Sequence, residues 1–156
     1  MKLDDREEYT PGWKYAEWEM RGVPLRLEIG PKDVKKSQVF SARRDNRTKA
    51  PILWGSITEE VPALLQQIQK DLFNKAKKFL DDNTREVSDY EELKGVMNDR
   101  RGFIIAPWCG STDCEDQVKA DTTATIRVIP VDSSPDANCV VCNKGGARRV
   151  YFAKAY

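Results

Sequence analysis

Four cysteines are the residues whose spacing points most directly at chemistry. Cys109 and Cys114 form a C-x4-C pair, Cys139 and Cys142 a C-x2-C pair, and 24 residues separate the two. Two short cysteine turns held apart by other elements suit a tetrahedral zinc site with four thiolate ligands. Such a site is structural, because four thiolates leave no open position at which water could be activated. The N-terminus, MKLDDREEYT, is polar and acidic, unlike a secretory signal or a transit peptide. The expected compartment is therefore the cytoplasm, where structural disulfides are rare. Two other readings stand beside zinc. Cys139 and Cys142 could form a redox dithiol, although no thioredoxin-like strand-to-helix context precedes them, and the four could be unrelated thiols. Gly145 and Gly146 follow closely and would let the chain turn sharply off the second pair.

A second constellation lies near the N-terminus. In EWEMRGVPLRLEIGPKD, residues 17–33, Leu25, Leu27 and Ile29 alternate with Arg26 and Glu28, and the run stops at Gly30-Pro31. A period of two sets Arg26 and Glu28 on one face of a short strand. On a half-exposed strand such residues are by default solvated. Trp13 and Trp18 stand close by; large aromatics bury well, and both are expected in the core.

The elements that must carry these residues follow from pattern and punctuation. Pro11-Gly12 opens a short helix in which Trp13, Ala16 and Met20 recur at helical spacing, ending at Gly22. Strand 25–29 follows. Residues 36–45 read as a second strand, RDNRTK as a hairpin turn, and 50–54 as a return strand that Pro51 confines to a sheet edge. Val61, Leu64, Leu65, Ile68, Leu72, Phe73, Phe79 and Leu80 make the clearest helical stripe, over 59–82, and are expected to pack. Pro62 places its start near Glu59 or Glu60. Capping boxes at Ser88–Glu91 and Thr112–Glu115 predict two more helices. Residues 102–110 and 125–131 read as strands, SSPDAN as a loop, and RRVYFAKAY as a final strand. Helices and strands are interspersed, which predicts an α/β or α+β arrangement. A composition shift around 82–100 separates a half without cysteine from the half that holds all four.

Bulk properties narrow the function. The 156 residues carry 26 Lys+Arg against 25 Asp+Glu, so no global basic field exists to drive non-specific nucleic-acid binding, and any contact must come from a local patch. No apolar run approaches the length that spans a bilayer. The chain has no histidine, which removes the commonest general base and nitrogen ligand.

YTPGWKYAEWEMRGVPLRLEIGPKD, SARRD, APWCG with DCED, the C-x2-C pair and the terminal AKAY together resemble the C-terminal part of prolyl-tRNA synthetases of the eukaryotic and archaeal type. The resemblance covers nearly the whole chain. It implies a mixed-sheet α/β fold, the class IIa anticodon-binding domain truncated at its N-terminus, over residues 1–82. A small α+β zinc-binding domain follows over 83–156. It further implies a proline–tRNA ligase whose class II catalytic domain, with its ATP and Mg sites, lies outside these residues. The fragment alone is then inactive, and the parent dimerises mostly through the absent domain. The implied partner is tRNA(Pro), with no DNA and no membrane. A free-standing RNA-binding or scaffold module of the same fold is the alternative, and a zinc-stabilised domain without RNA contact the blandest one.

The anticodon chemistry follows from the family. Proline codons are CCN, so the anticodon presents guanines at its second and third positions. RNA readers work on unstacked loop bases, stacking them and bonding their edges. A carboxylate accepts from guanine N1–H and N2–H2; an Arg or Lys donates to O6 and N7. The resemblance implies that Tyr15, Glu19 and Arg26 lie at this site, with Lys49 the best match for a further basic residue. It leaves Arg43 and Arg44 as phosphate contacts and Tyr156 as a residue that docks on the catalytic domain.

Overall fold

The computed structural model describes residues 1–100 and 102–155. They form two compact units, Met1–Ala76 and the residues from Lys77 onward, and the division falls within one long helix. No helix among the described residues is long and apolar enough to cross a membrane.

The first unit opens with helix α1, Pro11–Met20, whose first position is filled by a proline that needs no N–H there. Thr10 caps it, its hydroxyl oxygen accepting from the Trp13 N–H at 3.4 Å. The helix ends before Gly22, which adopts φ +87°, the left-handed conformation that glycine tolerates best. Strand β1, Leu25–Glu28, follows, and Gly30-Pro31 both stops it and starts a five-residue helix, α2, Pro31–Lys35, that the sequence pattern had not suggested. The Asp33 carboxylate accepts from the Gly30 N–H at 3.0 Å and closes that turn. Strands β2, Gln38–Arg43, and β3, Lys49–Leu53, complete an antiparallel sheet in the order β1-β2-β3. Pro51 lies opposite Phe40 on the outer strand β3, as its missing N–H requires.

The core of this unit is small: Val39, Ala42, Ile52 and Ile68 are buried, with Ser41 donating its hydroxyl to the Ala50 carbonyl at 3.0 Å. The long helix α3, Ile57–Asp82, begins after a 3-10 turn at Trp54–Ser56. Its start precedes the expected one at Glu59 or Glu60, so Pro62 lies inside it and leaves the Thr58 carbonyl without its usual donor. The apolar stripe does not pack as expected either. Of α3 only Ile68 is buried, and Phe73 and Phe79 are 62% and 71% exposed. A helix of 26 residues is about 39 Å long, more than three short strands can cover. Trp13 is likewise outside any core, exposed and stacked on Tyr9 with ring centroids 3.9 Å apart. Trp18 is half-buried and donates its Nε1–H to Asp4 at 2.7 Å.

The second unit contains β4, Thr84–Glu86; α4, Tyr90–Asp99; β5, Phe103–Trp108; α5, Thr112–Thr122; β6, Ala124–Val128; β7, Ala137–Asn138; and β8, Gly145–Lys154. The sheet runs β4-β5-β8-β6, with β7 also on β8. β4 is parallel to β5 and the other pairs are antiparallel, so this is a mixed sheet. The mixed α/β architecture expected from the sequence is thus present, while the first unit's sheet is antiparallel throughout. Both caps sit one residue from their expected places. Asp89, not Ser88, accepts from the Glu92 N–H at 2.9 Å and starts α4. Ser111, not Thr112, is the cap position of α5, and Glu115 turns instead to the Ile126 N–H at 3.4 Å.

Leu93 and Met97 of α4, Val118 of α5, Ile104 of β5, and Val150 and Phe152 of β8 form a continuous core, each almost fully buried. The unit therefore has an apolar core of its own. Two backbone segments approach closely at Gly102, where φ is +143° and any Cβ would collide with the Asn83 carbonyl, the acceptor of the Phe103 N–H. Gly102→Ala is expected to destabilise this unit by about 2 kcal/mol or more. Thermal unfolding followed by circular dichroism measures it.

Candidate nucleic-acid interface and metal centre

Tyr15 and Glu19 stand one turn apart on α1 and therefore share a face. Arg26 lies in β1 and Lys49 in β3, opposite Ala42 of β2, which itself lies opposite Arg26. The sheet register thus brings together residues far apart in the chain. The Arg26 guanidinium rests 4.0 Å from the centre of the Tyr15 ring, and Lys49 Nζ 5.9 Å from the same ring. Arg26 Nη1 donates to Glu19 at 2.7 Å, and its Nε to Glu28 at 2.9 Å. Lys49 Nζ bonds to Glu28 at 3.0 Å. Glu19, Arg26, Glu28 and Lys49 therefore form an alternating chain of charges whose sum is zero.

Burial works against the charge of Arg26, but its bonds to Glu19 and Glu28 outweigh this and raise its pKa. Burial likewise pushes the Glu28 carboxyl up, and the bonds from Lys49 and Arg26 overcome it and hold it below its ordinary value. Both shifts favour the charged forms of Arg26 and Glu28. The Tyr15 face nearest Arg26 is taken by the guanidinium. Glu28 was legible only as a strand neighbour of Arg26; the period of two put it on the right face, and nothing in the sequence said that Lys49 would arrive beside it.

Arg43 and Arg44 differ. Arg43 is bonded at 2.6 Å to both Asp45 and Asp71, and its side chain is largely covered. These bonds raise its pKa, and they leave the guanidinium little capacity for phosphate. Arg44 is exposed at the hairpin, with its backbone N–H donating to the Pro24 carbonyl at 3.0 Å. Tyr156 lies outside the described residues.

The four cysteines converge at one end of the second unit. Cys109 follows β5, Cys114 lies in the first turn of α5, and Cys139 and Cys142 form the turn between β7 and β8. All four Sγ atoms lie within 4.8 Å of one another. Cys109 is 3.7 Å from Cys114 and 3.8 Å from Cys142. These separations exceed a disulfide bond and equal the edge, about 3.8 Å, of a tetrahedron with metal–sulfur bonds of about 2.3 Å. The turn is built to aim the sulfurs: Cys139 N–H donates to the Lys144 carbonyl and Asn143 N–H to the Cys139 carbonyl, both at 2.9 Å. Asn143 takes φ +59° and Gly146 φ +78°, so the turn is shared between them and not made by Gly145.

Burial raises the Cys139 thiol, but backbone N–H groups of Cys142, Val141 and Cys109 more than offset it and bring the pKa to about 7. Burial pushes Cys114 upward. A soft, four-thiolate donor set fits a tetrahedral metal ion, and no carboxylate or imidazole joins it among the described residues.

Residues 1–67 match the family model described as anticodon binding domain, and residues 90–156 the one described as prolyl-tRNA synthetase, C-terminal. A proline–tRNA ligase of Natranaerobius thermophilus is 46% identical over 158 aligned residues, covering 100% of this chain and 33% of the relative. Proline–tRNA ligase 2 of Bacillus cereus is 45% identical over 153 residues, covering 97% of this chain and 32% of the relative. The proline–tRNA ligase of Flavobacterium johnsoniae is 45% identical over 157 residues, covering 100% and 32%. The chain spans about a third of the length of the curated relatives it matches.

Proposed function

We propose that this chain, which carries the anticodon-binding and C-terminal domains of prolyl-tRNA synthetases, reads the anticodon of tRNA(Pro) on behalf of a cytoplasmic proline–tRNA ligase. The ATP and Mg sites, the joining of proline to tRNA and the dimer contacts belong to a catalytic domain outside this chain. Residues 1–82 form the reading domain and 83–156 the metal-bearing one.

The observation that supports this reading is the meeting of Glu19, Arg26 and Lys49 around Tyr15. In the free chain Glu19 and Arg26 satisfy each other. A looped-out guanine exchanges that bond for better ones: its N1–H and N2–H2 donate to the Glu19 carboxylate, and O6 and N7 accept from the Arg26 fork. Tyr15, lying flat under the guanidinium, fixes the plane in which that fork points. Lys49 donates to the neighbouring guanine. Arg44 is the phosphate contact at the hairpin, and Arg43, held by two carboxylates, has less to offer. Cys109, Cys114, Cys139 and Cys142 hold zinc, which as a closed four-thiolate site supplies structure and no catalysis.

Fluorescence anisotropy with labelled anticodon stem-loops tests the reading. A loop with guanines at the second and third anticodon positions is expected to bind roughly tenfold or more tighter than one with adenines there. Equal binding refutes it.

A further inference from the structure

Glu28 touches both cations of the cluster. It follows Arg26 by two positions and so projects from the same strand face. Its carboxylate accepts from Arg26 Nε at 2.9 Å, and Lys49 Nζ lies 2.9 Å from Oε1 and 3.0 Å from Oε2. Glu19, by contrast, bonds Arg26 from the outside. The Glu19 side chain is 43% exposed, whereas that of Glu28 is 19% exposed, the same as Arg26 itself. One carboxylate is therefore open to an incoming base and the other is tucked beneath the two cations. Without a negative group between them, an ammonium and a guanidinium sharing one tyrosine ring would repel and swing apart into solvent.

We propose that Glu28 is a positioning residue that holds Arg26 and Lys49 side by side, so that two consecutive guanines, and not one, are read as a unit. The role rests on the reading of this cluster as the anticodon site. Glu28 bonds no base. It acts by restricting two flexible side chains to one arrangement before RNA arrives, which lowers the ordering cost of the bound state. It also offsets one positive charge, so removing it adds attraction to any phosphate backbone while loosening the geometry that discriminates bases. Discrimination and general affinity should then move in opposite directions, which a merely structural role would not produce.

The test uses the full 156-residue chain and two labelled anticodon stem-loops, one with the paired guanines and one with adenines in their place. Glu28→Gln, close in shape, is expected to bind the guanine loop about tenfold more weakly and the adenine loop equally or more tightly, with only a small drop in melting temperature. Glu28→Asp keeps the charge but falls short of one cation, and is expected to lose several-fold in discrimination. This second variant decides the matter if the first folds poorly. Retention of the parent's guanine preference in the variants overturns the proposal, as does a parallel loss of affinity for both loops. A parent chain with no preference at all removes the anticodon reading itself and this role with it, an outcome separate from the variants' failure.

Discussion

Arg26→Gln is expected to weaken binding of the two-guanine stem-loop by roughly ten- to a hundredfold while changing binding of the adenine loop little, which corresponds to about 1–3 kcal/mol for one lost bidentate guanine contact. The size of the effect follows from how much converges on this side chain. Arg26 is the group that satisfies Glu19, bonds Glu28 and covers the face of Tyr15. Without it, Glu19 still accepts from a guanine but nothing donates to the opposite edge. Arg26→Lys is expected to recover charge and little discrimination, because an ammonium is a point charge without the planar fork. Anisotropy titrations with both loops measure the loss. An equal decline for the two loops would show that Arg26 contributes general attraction only.

The second large effect is at the metal. Cys139→Ser is expected to abolish stoichiometric zinc and to destabilise the second unit by about 4 kcal/mol or more, lowering its melting temperature by roughly 15 °C or more. Cys139 is the most telling of the four because its sulfur is buried and receives backbone N–H groups, so the turn from Cys139 to Gly146 is organised around it. The loss should nevertheless be partial. Leu93, Ile104, Val150 and Phe152 pack without reference to the metal, so the sheet persists where a classical zinc finger would unfold outright. Metal analysis and hydrogen exchange check this together: amides of the cysteine turn should lose protection while those of β5 and β8 retain it. A chelator should reproduce the pattern. Full metal content in the variant, or unchanged melting, would show that the four sulfurs do not share one ion.

Much of this was legible in the residues. Period-two alternation located β1, and Pro51 correctly restricted β3 to an edge. The cysteine spacing anticipated four sulfurs within reach of one ion, because short turns tether each pair and only the approach of the two turns had to come from the fold. What was not legible depends on packing. The stripe from Leu64 to Leu80 has the pattern of a buried helix face, yet most of it is exposed, since periodicity states what a helix can bury and not whether a partner surface exists. Trp13 shows the same limit. The capping boxes failed by one residue because Ser88 and Asp89, like Ser111 and Thr112, offer adjacent side chains of equal ability, and the choice lies in backbone geometry. Short β4 and β7 carry too few residues for a period to register. Glu28 was visible on its face, but its partner Lys49 is 21 residues away, and only register joins them.

On the proposed anticodon reading, the electroneutrality of the Glu19–Arg26–Glu28–Lys49 chain bears on how wrong RNAs are refused. A bare cationic groove would grip every passing loop and sort them slowly, by waiting for the wrong ones to fall off. A site whose positive groups already wear their own counter-charges offers a mismatched loop nothing until bases of the right pattern displace those internal partners. Errors are then rejected at first touch, and the cost of a near-cognate encounter is a brief collision in place of a long sojourn.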